Sequence, residues 1–242
     1  MKKDLIFGII FLLIVLPFLP FNFLSVIHSS FLYNENYWYL NSFIKFALLA
    51  TLGECLGLRL SKGVYYEKGF GILSRAFVWG FLGITIKIAF VVYAAGVPYL
   101  LEKFFFIKNS ILSMHYKDVV EAYKNNLLYQ RLLSAFFIST IMNVTYAPVL
   151  MVFHKITDTH IVVNNGKFKK LFTPIKVKHI LSSIDWNSLW GFVLKKTIPY
   201  FWIPMQTINF LLPSEYRVVF AAFLGIILGL ILSFASKKNK NK

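Results

Sequence analysis

The stretch W-I-P-M-Q-T-I-N-F-L-L-P-S-E-Y-R, residues 202–217, decides how the rest of the chain is interpreted. It is apolar enough to lie at membrane depth, yet it carries Pro204, Pro213 and two amides. A proline inside a membrane helix frees a backbone carbonyl, which must find a partner in the protein because lipid supplies none. The amides, Gln206 and Asn209, are three residues apart and share one helix face. We expect that face either to make a helix–helix contact or to line a wet cavity.

Composition indicates that the whole chain is a membrane protein. Of its 242 residues, 57% are hydrophobic and 15% are charged, and the mean hydropathy is +0.64. A soluble domain of this length must present a more polar exterior. Several apolar runs approach the roughly 20 residues that a helix needs to cross roughly 30 Å of hydrocarbon. The sequence therefore predicts an all-α membrane protein, a polytopic bundle of about six membrane-embedded helices plus one amphipathic interfacial helix.

The apolar segments are read from hydropathy, and the first of them requires a choice between a signal peptide and an uncleaved span. It passes two prolines and no small-x-small cleavage site follows it, so we favour an uncleaved span. Between the third and fourth segments, residues 110–128 place apolar and charged side chains on opposite helix faces, which predicts the amphipathic helix. The six predicted segments are residues 4–27, 43–60, 76–101, 132–153, 197–212 and 218–234.

The net charge of +16 comes mostly from lysines in short pieces between the apolar runs. Such charges orient membrane helices and meet anionic headgroups, and no nucleic-acid-binding motif accompanies them. We therefore expect anionic membrane lipids as partners and no nucleic acid, and a homo-oligomer is left open. With six spans, the positive-inside rule places both termini in the cytoplasm.

Residues 154–185 are polar and basic and predict a solvated loop, with a turn at Asn164-Asn165-Gly166. His154, Asp158 and His160 lie within it, but their spacing does not predict a metal site.

Charged groups lie inside two apolar runs and need polar or oppositely charged partners there. Glu54 lies in the second run and Lys87 near the middle of the third, where an unpaired charge is costly. We expect the two to form an ion pair between adjacent helices. Small residues at four-residue or similar spacing predict close helix packing beside them, and again in the last segment. These stripes are Gly53-Gly57-Ser61, Ala76-Gly80-Gly83 and Ala221-Gly225-Gly229.

The opening stretch resembles the signature of the Mpv-seventeen/peroxisomal membrane protein family, small channel-like proteins of organelle membranes. That signature reads roughly W-P-x-x-Q-x-x-N-F, then a proline, then three residues and an arginine. In this chain the first proline is displaced, to Pro204, and the gap before the second is one residue short. The matching residues are Trp202, Gln206, Asn209, Phe210, Pro213 and Arg217.

Two weaker family motifs also have counterparts here. The family's G-x-G-D-x-x-x-Q is met by Gly53, with Glu54 in place of the aspartate and Leu58 in place of the glutamine. Its D-Q-x-x-x-A-P is met by Ala147 and Pro148, but the aspartate is lost and Asn143 replaces the glutamine. The resemblance implies a family-like membrane core over residues 43–236, preceded by an additional helix and outer loop (1–42) and followed by a basic tail (237–242). It also implies a multi-pass protein of an organelle membrane, mitochondrial inner or peroxisomal, or of the plasma membrane in a bacterium.

Four classes of function are weighed on these residues. By resemblance, the favoured one is a channel-like pore for ions or small solutes; the alternative is a structural or assembly protein in which the buried polar residues serve packing only. A secondary transporter would predict an inverted repeat, and an enzyme a catalytic motif; neither is present, and no cofactor or metal is expected. The candidate pore-lining or buried polar residues are Glu54, Lys87, Asn143, Gln206, Asn209 and Arg217.

Overall fold

A computed structural model describes residues 2–19, Leu32 and residues 34–240, and all regular elements of this part are helical. The α-helices are α1 (Lys2–Val15), α2 (Trp38–Lys62), α3 (Ile72–Phe105), α4 (Ser110–His115), α5 (Val119–Lys124), α6 (Leu128–Val163), α7 (Val177–Ser183), α8 (Trp186–Ser188), α9 (Ile203–Leu211) and α10 (Arg217–Lys240). A π-helix, π1, covers Leu189–Trp202, and 3-10 turns cover Leu16–Phe18, Glu35–Tyr37 and Phe168–Phe172.

The chain forms two compact units. Unit 1 comprises Met1–Ile84, Ile161–Phe172 and Ala222–Lys242, and unit 2 comprises Thr85–His160 and Thr173–Ala221.

Two helices, α3 and α6, are long and apolar enough to cross a membrane, and residues 217–231 of α10 form a shorter apolar helix. Only 39% of the most apolar window of α3 and 22% of that of α6 is buried inside the protein. A helix this apolar in the core of a soluble protein is buried all round. The third and fourth predicted segments are therefore confirmed as long apolar helices, and the count of six spans stays a prediction.

The first segment differs from its prediction. Helix α1 ends at Val15, and a 3-10 turn containing Pro17 follows it. Proline lacks the amide hydrogen that continues a helix, so α1 ends before Pro17 and is shorter than the predicted segment; the uncleaved span stays a prediction. Residues 20–31 of that segment lie outside the described residues.

The prediction of one amphipathic helix over residues 110–128 was wrong, because the structure has two separate short helices there, α4 and α5. Tyr116 has an extended backbone, and Asp118 is the N-cap of α5, where its carboxylate accepts from the amides of Val120 and Glu121. Aspartate at this position satisfies amide groups that a helix start leaves free, which favours a new helix over continuation of the old one.

The solvated loop begins later than predicted. Helix α6 continues to Val163 because no proline or glycine interrupts residues 154–163, so the histidines expected in a loop are helical, and His160 is buried. The predicted turn is confirmed, with positive φ at Asn165 and Gly166. A Cβ on Gly166 would lie 2.6 Å from the backbone nitrogen of Gly71, so glycine is required by contact as well as by conformation.

The small-residue stripes are confirmed in part. In unit 1, a Cβ on Gly83 would lie 2.6 Å from the carbonyl oxygen of Ser42, and one on Gly53 would lie 3.0 Å from Ile226. These glycines let α3 and α10 approach α2 closely. For the stripe predicted in α10, no atom of a described residue lies within 4 Å of a Cβ at Gly225 or Gly229, so close packing at these two positions stays a prediction.

Candidate functional site

The family-like stretch forms a tightly bonded turn in unit 2. Helix α9 ends before the extended Leu212 and Pro213, and α10 begins at Arg217. The side-chain nitrogen of Asn209 donates to Gln206 Oε1 at 2.7 Å and to the carbonyl oxygen of Arg217 at 3.1 Å. Both amides are buried, with exposures of 5% for Gln206 and 0% for Asn209. The shared face predicted for them is therefore used to tie α9 to the start of α10.

Arg217 stabilises the end of α9 from the other side of the turn. Its Nε donates to the carbonyl oxygen of Leu212 at 3.2 Å and its Nη2 to that of Phe210 at 3.4 Å. The last carbonyls of a helix have no partner within the helix and carry a partial negative charge. A guanidinium group supplies both the donors and the positive charge that they need.

A second arginine, Arg131 at the start of α6, binds the same helix end. Its Nη2 donates to the carbonyl oxygen of Phe210 at 3.2 Å, and its Nη1 donates to those of Ser113 (2.9 Å) and Tyr116 (3.1 Å), at the end of α4. Arg131 has 0% exposure. It therefore joins the ends of α4 and α9 to α6, a role that the sequence analysis missed.

Neither arginine forms an ion pair with any residue in the described part of the chain. Their Nη2 atoms lie 3.2 and 3.4 Å from one oxygen atom, so the two cations are neighbours. Two unit charges about 6 Å apart repel by about 3 kcal/mol at an effective dielectric constant of about 20. The negative ends of α4 and α9 offset this repulsion. A sequence signal existed: most of the positive charge is lysine, and arginine stands only at 59, 75, 131 and 217.

Helix α6 carries a row of polar side chains on its inner face, here called the polar row. Four of its five members are almost completely buried, with exposures of 0 to 2%, although the helix is one of the two in the described part of the chain that are long and apolar enough to cross a membrane. The row runs over about 22 Å of helix at 1.5 Å per residue. It consists of Arg131, Ser134, Ser139, Asn143 and Tyr146.

The polar row bonds to neighbouring helices in unit 2. Ser139 Oγ donates to the carbonyl oxygen of Ile203 in α9 at 2.7 Å. Asn143 Nδ2 donates within α6, to the carbonyl oxygen of Ser139 at 2.9 Å. Tyr146 donates its hydroxyl hydrogen to Thr85 Oγ1 in α3 at 2.8 Å. At the other end, Ser134 Oγ and Arg131 Nε are buried and have no hydrogen-bond partner among the described residues. Asn143, predicted from the sequence, is thus one of a larger set.

In unit 1, Glu54 has partners that the sequence analysis did not name. Its Oε2 lies 2.6 Å from Arg75 Nη1, and its Oε1 accepts from Trp79 Nε1 at 2.7 Å. Arg75 is itself 9% exposed and donates through Nε to the carbonyl oxygen of Phe70. Arg75 and Trp79 are four residues apart on α3, so one helix face holds both oxygens of the carboxylate. The pair with Lys87, which belongs to unit 2, stays a prediction.

A pocket of about 590 Å³ opens between the start of α1 and the end of α2, within unit 1. Asp4 Oδ1 accepts from Arg59 Nε at 2.8 Å and from the Tyr65 hydroxyl at 3.0 Å, and the ring of Phe7 stacks on Tyr65 at 4.0 Å. Partial burial and the bond to Asp4 raise the pKa of Tyr65 above its ordinary value. Around this network the pocket is lined by Lys2, Lys3, Ile6, Ile10, Val64 and Tyr66.

No group of three or more histidine, cysteine, aspartate or glutamate side chains that could hold a metal ion occurs among the described residues. The remaining signature residues frame the turn: Trp202 ends π1, Pro204 lies in the first turn of α9, and Phe210 packs edge-on against Phe90 at 5.3 Å.

Comparison of the chain with protein-family models, with curated proteins and with solved structures gives no match. Membership of the Mpv-seventeen/peroxisomal membrane protein family accordingly stays a prediction from the residues of the signature.

Proposed function

We propose that this chain is a multi-pass membrane protein with a channel-like path for ions or small solutes through unit 2. The observation that carries the proposal is the polar row of α6. Buried polar side chains are expensive in an apolar helix and by default indicate a functional path or a functional site. The row extends over about 22 Å, a large part of a hydrocarbon thickness of roughly 30 Å.

Support for the membrane location comes from the outward faces of α3 and α6. Apolar side chains on these faces are exposed at the surface of the protein. Val91 and Val92 of α3 are 56% and 58% exposed, and Val144 and Val149 of α6 are 59% and 67% exposed. Lipid covers such faces without cost, whereas water does not. A helix with a lipid-compatible outer face and a polar inner row is suited to surround a polar path.

The path proposed here differs from the one that the signature alone suggests. Gln206 and Asn209 are buried and bonded to each other and to the backbone, so they are poorly placed to exchange bonds with a passing solute. Ser134 Oγ and Arg131 Nε, in the polar row, make no hydrogen bond to a described residue; Asn209 Oδ1 shares this property, but the nitrogen of the same amide is held by two bonds. Water or a solute can satisfy such groups.

The test is solute and ion flux in liposomes that contain the purified protein. Asn143→Leu, which keeps the branched shape of the side chain, and Tyr146→Phe, which removes one hydroxyl group, remove polar groups from the row. Each is expected to reduce flux about fivefold or more, equivalent to about 1 kcal/mol on the barrier. Tyr129→Phe is the matched control, because Tyr129 lies on the same helix with 68% exposure. Flux that is unchanged in both row variants would contradict the path.

A structural or assembly role is the second candidate. It is favoured by the turn around Asn209, in which the side chains of Asn209 and Arg217 join the end of α9 to the start of α10. Folded protein that passes neither ions nor uncharged solutes in the liposome assay would establish this second candidate over the first.

A further inference from the structure

We propose that the pocket between α1 and α2 binds the phosphate-bearing headgroup of one anionic phospholipid, with an acyl chain lying along α1. This inference rests on the membrane location in the proposed function, and it does not depend on transport. It concerns unit 1 alone, whereas the proposed path lies in unit 2.

The charges at the pocket favour an anion. Asp4 and Arg59 pair with each other, so together they add no net charge to the site. Lys2 and Lys3, which line the pocket, are exposed and form no hydrogen bond or ion pair with the described residues. Two ammonium groups thus remain to bind a phosphate, and the hydroxyl group of Tyr66, whose side chain is 59% exposed, provides a neutral donor on the same lining.

The apolar lining favours a lipid over a free phosphate ion. Ile6 and Ile10, 57% and 45% exposed, are four residues apart and continue the pocket along one face of α1. Further along the same face, three residues after Ile10, Leu13 is 66% exposed. A phosphate ion would leave this surface uncovered, whereas an acyl chain attached to the bound headgroup would cover it. Two neighbouring lysines and an adjoining apolar face therefore fit a glycerophospholipid.

The position along the chain agrees with a headgroup site. The start of α1 and the end of α2 meet at the pocket, so Lys2 and Lys3 lie at a helix start; Lys62, at the same end of α2, is paired with Glu67 at 2.6 Å and adds no net charge. Clusters of basic residues beside membrane helices attract anionic headgroups by about 1 kcal/mol per residue. In addition to that general attraction, the pocket offers a defined binding surface for one headgroup.

The experiment uses the full-length protein in a neutral detergent. Short-chain phosphatidylglycerol is titrated against phosphatidylcholine of equal chain length, and binding is followed by native mass spectrometry and by the thermal unfolding midpoint. Phosphatidylglycerol is expected to bind more tightly and to raise the midpoint. The double variant Lys2→Gln/Lys3→Gln should weaken its binding about 10- to 30-fold.

Two further variants distinguish a site from diffuse attraction. Lys103→Gln/Lys108→Gln makes the same change in charge at exposed lysines of unit 2 and should leave the affinity unchanged. Val64→Trp keeps every charge but fills the pocket from an exposed loop position, and it should weaken binding of phosphatidylglycerol.

Three results would overturn the proposal. Equal losses in the two double lysine variants would show that the attraction is diffuse, and full binding in Val64→Trp would show that the pocket is not used. Glycerol 3-phosphate that competes at the same concentration as the lipid would show that the site takes a free phosphate ester. None of these results bears on flux through unit 2, so the two proposals fail separately.

Discussion

Replacement of Asn209 by leucine tests whether the amides of the signature stretch act in structure or in transport. Leucine has the same branched arrangement of four side-chain heavy atoms as asparagine, so the change removes the hydrogen bonds and keeps the branched shape, although its methyl groups are bulkier than the amide. Gln206 Oε1 would lose its donor inside the protein, at a cost of about 1–3 kcal/mol, and the bond to the carbonyl oxygen of Arg217 would be lost at about 1 kcal/mol. Asn209 Oδ1 is buried without a partner, and its removal returns about 1 kcal/mol.

The expected result is therefore a loss of about 2 kcal/mol in the free energy of unfolding. Gln206→Leu leaves Asn209 its bond to the backbone and should cost about 1 kcal/mol. The two residues are bonded, so the double variant should lose less than the sum of the single losses, by about 0.5–1 kcal/mol.

The assay is equilibrium unfolding in mixed micelles, combined with flux per folded molecule in liposomes. If both amides are structural, the flux of the folded fraction stays at the wild-type level. Asn209→Leu protein that is within about 0.5 kcal/mol of wild type in stability but has clearly lower flux would refute this reasoning. It would also indicate that the signature stretch, residues 202–217, lines the solute path.

Three other predictions concern packing, charge and topology. Gly83→Ala places a Cβ against a backbone oxygen and should cost about 1–3 kcal/mol, whereas Gly96→Ala meets open space and should be neutral or slightly stabilising in the same unfolding assay. Glu54→Gln weakens the bond to Arg75 and should lower the free energy of unfolding by about 1–3 kcal/mol. If the expected pair with Glu54 exists, adding Lys87→Met to this variant should recover part of that loss. Strictly additive losses would exclude the pair. Reporter fusions at the C-terminal end should be cytoplasmic if there are six spans, and an outside location would contradict that topology.

Much of the helical architecture was predictable because it depends on short-range properties of the chain. Apolar runs of sufficient length form helices wherever they meet lipid, since a helix satisfies its own backbone groups. For this reason α3 and α6 were placed correctly, and the turn at residues 164–166 was expected from its asparagines and glycine. The errors at local level were at boundaries: a proline at 17, a capping aspartate at 118, and an uninterrupted continuation to Val163 each changed where a helix begins or ends.

The partners of the buried polar groups were decided by tertiary structure alone. Arg131 and Phe210 are separated by 79 residues, and no periodicity within either segment specifies that one binds the other. Glu54 was recognised as a buried charge, but whether Arg75, Lys87 or both approach it depends on how the helices are rotated about their axes. Hydropathy fixes which segments leave water, because transfer into lipid depends on each residue separately. A hydrogen bond between distant segments depends on atomic positions within a few tenths of an ångström, which only the packed helices determine.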